Sequence, residues 1–233
     1  MKRIAIMQPY LFPYLGYYQL VQASDEFVFY DDVNFIKKGW INRNNLLVNG
    51  SATRFTVALV NMSQNRRIND VKIDPNFRFD SLLKTITLSY KKAPFFNETY
   101  SLIEKVFSVE KLNIAELAQA SITVISEYLG LPTRFYVASA SFGDTDTLDR
   151  ADRLISITKR LNGSDYVNAI GGQTLYTKEY FAMNNVRLHF LETLQYSYIQ
   201  FGKDFVPHLS MIDVLMFNSI EGTHRLLNTY RFV

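Results

Sequence analysis

Apolar positions in the chain recur with two periods, short runs typical of strands and longer 3.6-residue stripes typical of helices. Ile4 to Met7 is an apolar run that predicts a buried strand. Polar and aromatic residues follow it, interrupted by Pro9, Pro13 and Gly16. A short helix is predicted over Tyr17 to Ala23, then a second apolar run from Glu26 to Tyr30 that ends in Asp31 and Asp32. Strand, loop, helix, strand is the βαβ unit of a parallel sheet. In open α/β sheets, ligands bind outside the carboxyl ends of the strands, where the unusual residues of this stretch fall.

Beyond the opening unit, Thr53 to Val60 alternates loosely and predicts a strand, and Val71 to Ile73 a shorter one. Helical periodicity takes over from Phe79 to Tyr90, and Asn97 is a candidate cap for the next helix. Asn113-x-x-Glu116 has the form of a capping box, and Gly130 followed by Pro132 a stop. Strands are predicted at Arg134 to Ala138, Asp165 to Asn168 and Val186 to Leu191. Helices are predicted at Leu148 to Leu161, Lys178 to Met183, Met211 to Phe217 and Glu221 to Tyr230. Alternation of this kind predicts an α/β fold, a mainly parallel Rossmann-like sheet with flanking helices. The expected organisation is a single α/β domain over residues 1–233 with a helical subdomain or insertion at about 75–130.

Composition narrows the chemistry. Hydrophobic residues make up 48%, including 15 Tyr and 18 Phe, which supplies a core and argues against disorder. Without cysteine there is no disulfide, zinc thiolate, iron–sulfur cluster or cysteine nucleophile. The net charge of +3 is scattered, without the basic stripe of a nucleic-acid binder, so no nucleic-acid polymer is expected as partner. The apolar run after the basic N-terminus is too short for a signal peptide, and no stretch approaches a membrane span. A soluble, cytoplasmic protein acting on an anionic small molecule is expected.

Candidate site residues gather at the predicted strand ends. Gln8, Tyr14, Gly16 and Tyr17 can form a ligand cradle in the first loop; ordinary turn chemistry is the alternative. Asp31 and Asp32 can hold Mg²⁺ carried by a nucleotide, or serve as turn residues and caps. Lys37, Lys38, Asn42, Arg43 and Asn44 form a cluster of donors suited to phosphate or carboxylate. Trp40, the single Trp, can stack on a base or sugar. Arg150, at a helix start beside Asp149, Asp152 and Arg153, can reach an anion there. Asn168 with Gly171 and Gly172 can read hydroxyls and let a backbone approach phosphate. His208 is a candidate base or substrate contact. Its neighbours Ser210 and Asp213 read as a capping box rather than as parts of a triad. His189 is expected in the core and His224 on the surface.

Three opening segments carry a family resemblance: Met7-Gln-Pro-Tyr-Leu-Phe-Pro-Tyr-Leu-Gly-Tyr-Tyr-Gln19, Phe29-Tyr-Asp-Asp-Val33 and Lys37-Lys-Gly-Trp-Ile-Asn-Arg-Asn44. Later segments join them: Tyr166 to Tyr176, Tyr196 to Gln200 and Phe205 to Asn218. Together they resemble the WbqC-like family over nearly the whole chain. The resemblance implies a role in bacterial surface-polysaccharide biosynthesis, such as O-antigen assembly, and adds Gln200 to the candidate binding residues.

Tyr14-Leu15-Gly16-Tyr17 also resembles the His-x-Gly-His element of nucleotidyltransferases and adenylate-forming ligases such as pantothenate synthetase. The glycine is kept and tyrosine stands at both histidine positions. A tyrosine donates a hydrogen bond but carries no positive charge. The resemblance implies ATP and Mg²⁺ as cofactors. It implies an enzyme, a ligase or acyl transferase, that activates an acid as an acyl-adenylate and passes it to an amino-sugar nucleotide. Tyr14, Tyr17, Lys38, Arg43 and His208 would be its catalytic residues. A non-catalytic nucleotide or nucleotide-sugar binder with a decayed site, and an acyl-CoA-dependent N-acyltransferase, are the alternatives.

Overall fold

The computed structural model describes residues 1–108, 113–202 and 204–233. Residues 109–112, within the stretch expected to be helical, lie outside the described residues. In chain order the strands are β1 (Arg3–Met7), β2 (Glu26–Phe29), β3 (Arg43–Val48), β4 (Ser51–Thr56), β5 (Leu59–Val60), β6 (Lys72–Ile73), β7 (Arg134–Val137), β8 (Asp165–Ala169), β9 (Arg187–Thr193) and β10 (Tyr230–Phe232). The helices are α1 (Leu15–Gln22), α2 (Phe79–Tyr90), α3 (Phe96–Ser108), α4 (Ile114–Tyr128), α5 (Ala138–Ser141), α6 (Arg150–Arg160), α7 (Lys178–Met183), α8 (Met211–Phe217) and α9 (Ile220–Leu227).

The expected α/β fold is present. The central sheet has the order β10-β9-β8-β1-β2-β7. Its strands are parallel except β10, which runs antiparallel to β9. From β1 the chain winds outward through β2 to β7, then returns to the other side of β1 to lay down β8 and β9. This is a doubly wound sheet, and its order reverses between β1 and β8. Alternate side chains feed two cores. Ala5, Phe27, Val167 and Leu191 face the larger one, shared with α1, α4, α8 and α9. Ile4, Ile6, Val28, Tyr166 and Phe190 face the smaller one, under α6 and α7.

Between β2 and β7 the chain adds two antiparallel pairs, β3–β4 and β5–β6, and the helices α2 to α4. Buried residues of these helices, such as Ile86, Ile103 and Ile122, belong to the larger core. Arg43 and Asn44, expected in a loop, open β3 instead. The Asn113 side chain accepts from the Glu116 N–H at 2.9 Å and its amide donates to the Glu116 carboxylate at 3.0 Å, which caps α4. No helix among the described residues is long and apolar enough to cross a membrane.

Candidate functional site

The carboxyl ends of β1, β2 and β8 meet the amino end of α6. On the α6 side, Gln8 and Tyr30 follow β1 and β2 in register, since the Tyr30 N–H donates to the Met7 carbonyl at 2.9 Å. Asn168 lies near the end of β8. By strand alternation these three continue the face of Ile4, Ile6, Val28 and Tyr166. Arg153 descends from α6 onto this face. Its Nη2 donates to Asp32 Oδ2 at 2.6 Å, its Nε donates to Thr145 Oγ1 at 3.0 Å, and the guanidinium lies 4.8 Å from the Tyr30 ring centre. Both members of this ion pair are at least 96% buried. Tyr176 closes the other flank, where its N–H donates to the Gly172 carbonyl at 3.1 Å.

Arg150, in the first turn of α6, is exposed and enters no salt bridge among the described residues. Its positive charge acts on the Tyr176 phenol, opposing the upward push of burial on that group. Gly172 has no side chain because a Cβ there would overlap the Asn168 amide. Gly171 is exposed, with open space where a side chain would go. Five residues singled out in the sequence thus occupy one rim: Gln8, Arg150, Asn168, Gly171 and Gly172. The α6 amino end, beside the point where strand order reverses, carries Arg150 with no salt-bridge partner among the described residues, flanked by Asp149 at the N-cap and Asp152 in the first turn.

The other face of the strand ends belongs to α1. Tyr14 occupies the N-cap position of α1, and its carbonyl accepts from the Tyr17 N–H at 3.0 Å. Tyr17 is only 2% exposed, and its hydroxyl donates to the Gln8 carbonyl at 2.9 Å. A Cβ on Gly16 would stand 2.7 Å from both Thr193 Oγ1 and the Tyr14 ring. The expected phosphate cradle at Tyr14, Gly16 and Tyr17 is therefore corrected: Gly16 and Tyr17 serve internal packing. Of the three, only Tyr14 keeps a free hydroxyl, in a half-buried ring whose phenol burial pushes up.

Four other expected site residues, Asn42, Asn44, Gln200 and Arg43, bond within the fold, and Lys37, Lys38, Trp40 and His208 are exposed. Asn42 Nδ2 donates to the Val57 carbonyl at 2.8 Å, and Asn44 Nδ2 to the Phe12 carbonyl at 2.7 Å. Gln200 is buried, donates to Asp213 Oδ2 at 2.7 Å, and accepts from the Val206 N–H at 2.8 Å. Arg43 donates to the carbonyls of Gly39 and Lys38, which ties its guanidinium to its own loop. Lys37 and Lys38 are exposed on that loop. Trp40 is exposed and carries the Arg54 guanidinium 5.7 Å from its ring centre, on one face. His208 is exposed in a left-handed turn with φ +58°.

The carboxylates expected to hold Mg²⁺ do not suit it. Asp31 accepts from the Ser139 N–H at 2.9 Å and the Ser139 hydroxyl at 2.6 Å. Asp32 is committed to Arg153, and its buried Oδ1 has no partner among the described residues. One free oxygen beside a guanidinium is not a ligand set for a hard cation. No cluster of three metal-ligating side chains occurs among the described residues.

Two further readings change. Ser210 does cap α8, accepting from the Ile212 N–H at 3.2 Å, but Asp213 does not complete the box. Asp213 is fully buried and accepts from Tyr198 at 2.6 Å and Tyr90 at 2.8 Å as well as from Gln200. His189 is not a core residue: its ring is one-third exposed, and its Nε2 lies 2.7 Å from Asp165 Oδ1. Residues that the sequence did not single out, Tyr10, Tyr30, Tyr176 and Tyr196, stand around the strand ends. Of these, Tyr30 closes a predicted apolar run; the other three carried no such signal. Two clefts, of about 480 Å³ between α4 and β7 and about 320 Å³ at the amino ends of β1 and β2, contain none of the expected site residues.

No solved structure matches the chain significantly. It is similar to the "Uncharacterized protein Rv1507c" of Mycobacterium tuberculosis (strain ATCC 25618 / H37Rv), at 26% identity over 219 residues, which cover 92% of this chain and 93% of that protein. The family model described as the WbqC-like protein family matches residues 8–225, and the chain belongs to that family.

Proposed function

We propose that this protein binds a nucleotide or nucleotide sugar at the β1/β8 reversal point and acts on it as an enzyme of surface-polysaccharide biosynthesis. One observation carries the reading: an unpaired arginine, Arg150, stands at the amino end of α6 beside the reversal point of a doubly wound sheet. Such a helix end attracts an anion through its free N–H groups and its dipole, and Arg150 offsets the Asp149 and Asp152 carboxylates on the same turn. Around it, Gln8 and Asn168 supply amides for hydroxyl or base contacts, and Tyr176 supplies an aromatic wall.

The chemical step we attach to the site is ATP-dependent amide formation. An acid carboxylate would attack the α-phosphorus of ATP and release pyrophosphate. The sugar amine would then attack the acyl carbon and release AMP. Its support is the resemblance of the first loop to adenylate-forming enzymes; because Gly16 and Tyr17 are taken up by packing, we assign the nucleotide to the α6 side of that loop.

Calorimetric titration with UDP, UDP-N-acetylglucosamine and ATP tests the binding half. At least one should bind, and Arg150→Ala should weaken it by about 1.5–3 kcal/mol, as for a lost charge-assisted hydrogen bond. No binding across the panel, or an Arg150→Ala variant that binds as wild type, sinks the site assignment. AMP release that needs both an acid and an amino-sugar nucleotide would support the chemical half. Turnover with acyl-CoA and no ATP would replace it.

A further inference from the structure

We propose that Tyr10, Tyr14 and Tyr196 form a subsite for an uncharged, polyhydroxylated sugar ring, on the α1 side of the strand ends. The assignment deepens the nucleotide-sugar reading and rests on it for the position of the nucleotide half.

Three observations converge. First, the three rings are half-buried, and their hydroxyls make no hydrogen bond to the described residues, although Tyr17, Tyr18, Tyr90 and Tyr198 beside them are all bonded. Unlike those four, these phenols are left for something outside the chain. Tyr10 and Tyr14 are tied to one stretch: Tyr10 packs on Tyr17, whose N–H donates to the Tyr14 carbonyl at 3.0 Å. Tyr14 also packs at Gly16 beside Thr193, the last residue of β9, three positions before Tyr196.

Second, the rings already lean on protein. Tyr10 lies 5.6 Å from Tyr17, centre to centre. Tyr196 is stacked on Tyr198 at 6.5 Å with 6° between planes, and Phe205 meets it edge-on at 5.9 Å. Rings supported in this way offer edges and hydroxyls, not the open sandwich that holds a base or a quaternary ammonium. Burial pushes the Tyr10 phenol up to about 12 and the Tyr14 and Tyr196 phenols upward as well. Protonated phenols both donate and accept, as sugar hydroxyls do. Asp213, whose carboxylate acts on Tyr196, is fully buried and spent on Tyr90, Tyr198 and Gln200.

Third, the frame is rigid. Phe12 between Tyr10 and Tyr14 is buried with φ +43°, a conformation that costs a bulky residue energy and persists only where the surroundings enforce it. Here the Phe12 N–H donates to Ser121 Oγ at 2.9 Å, and its carbonyl accepts from Asn44 at 2.7 Å and from Ser210 at 2.7 Å. Tyr196 is fixed through Tyr198, whose hydroxyl is held by Asp213 at 2.6 Å. A ligand meeting such a frame loses little free energy to ordering it.

Tyr14→Phe and Tyr196→Phe keep each ring and remove only the hydroxyl. Saturation-transfer NMR with free glucose and N-acetylglucosamine should show contact with the wild-type protein. Each Phe variant should weaken it about 3- to 10-fold, as for a neutral hydrogen bond, with an unchanged melting temperature. Calorimetry should show UDP-N-acetylglucosamine losing the same factor while UDP is unaffected. Sugar contact without binding of UDP, UDP-N-acetylglucosamine or ATP would leave the subsite standing and remove the nucleotide reading. UDP binding without sugar contact, Phe variants that bind sugar as wild type, or choline bound in preference to both sugars would each overturn the subsite.

Discussion

Gly16 has no side chain because there is no room for one. The 2.7 Å approach of Thr193 Oγ1 and of the Tyr14 ring to its missing Cβ position makes it the point where α1, β9 and the first loop close together. Gly16→Ala is therefore an overpacking substitution in a fully ordered setting. It should cost about 1–3 kcal/mol, read as a lower urea midpoint with unchanged slope, and a midpoint equal to wild type would remove this packing role. The same residue explains why a four-residue motif misleads when only its letters are considered. A glycine between two tyrosines fits a ligand cradle and fits a crowded helix start equally well. Only the neighbours decide, and Thr193 comes from a strand 177 positions later in the sequence. Arg43 teaches the same lesson. Its charge suits an anion, yet two of its donors are used on the carbonyls of Lys38 and Gly39.

Elements were legible where one local signal sufficed. The apolar runs at Ile4 and Phe27, the stripe of α2 and the Asn113 cap each state their own structure. The β3–β4 hairpin also had a signal, Asn49-Gly50 with both residues at positive φ, but it sat beside a basic cluster that reads as a loop. β10 had none: three residues form a strand only because β9 offers an edge. Two buried carboxylates hold distant elements together, and they do so with opposite dependence on pH. Burial pushes Asp165 upward, but hydrogen bonds from Arg187, Ser164 and His189 outweigh it and hold the carboxyl well below 3.8. Its contribution is present above pH 4 and is lost as pH falls from there through the folded-state value. Asp165→Asn should lower stability at pH 7 by about 1–2 kcal/mol and flatten the acid limb of the stability curve. Burial raises Asp213 above 3.8 despite its three hydrogen bonds. Its folded form binds the proton more tightly than the unfolded one, so stability falls as pH rises from 3.8 through the raised value. Asp213→Asn should remove that fall. Urea midpoints of the three proteins from pH 3 to 8 check both signs, and parallel curves would refute both.

At the scale of the whole molecule, scaffold and site meet in two arginines three positions apart on α6. Arg153 and Asp32 form a pair taken out of water, which joins α6 to the end of β2 across the edge of the smaller core. Arg150, one turn earlier, faces solvent with no carboxylate partner among the described residues. The sequence marks the two arginines alike, as charges at a helix start, because burial is decided by which face α6 lays on the sheet. Their removal should separate what they do. Asp32→Ala leaves the Arg153 charge buried and unpaired and should destabilise the fold by about 3–5 kcal/mol. Arg150→Ala removes an exposed group and should change stability by no more than about 0.5 kcal/mol, while weakening the anionic ligand. Chemical denaturation and ligand titration on the same two variants give a two-by-two outcome. A stable Asp32→Ala would mean that water reaches the Arg153 charge. An Arg150→Ala variant that loses stability would mean that Arg150 belongs to the scaffold, and the amino end of α6 would no longer mark the site.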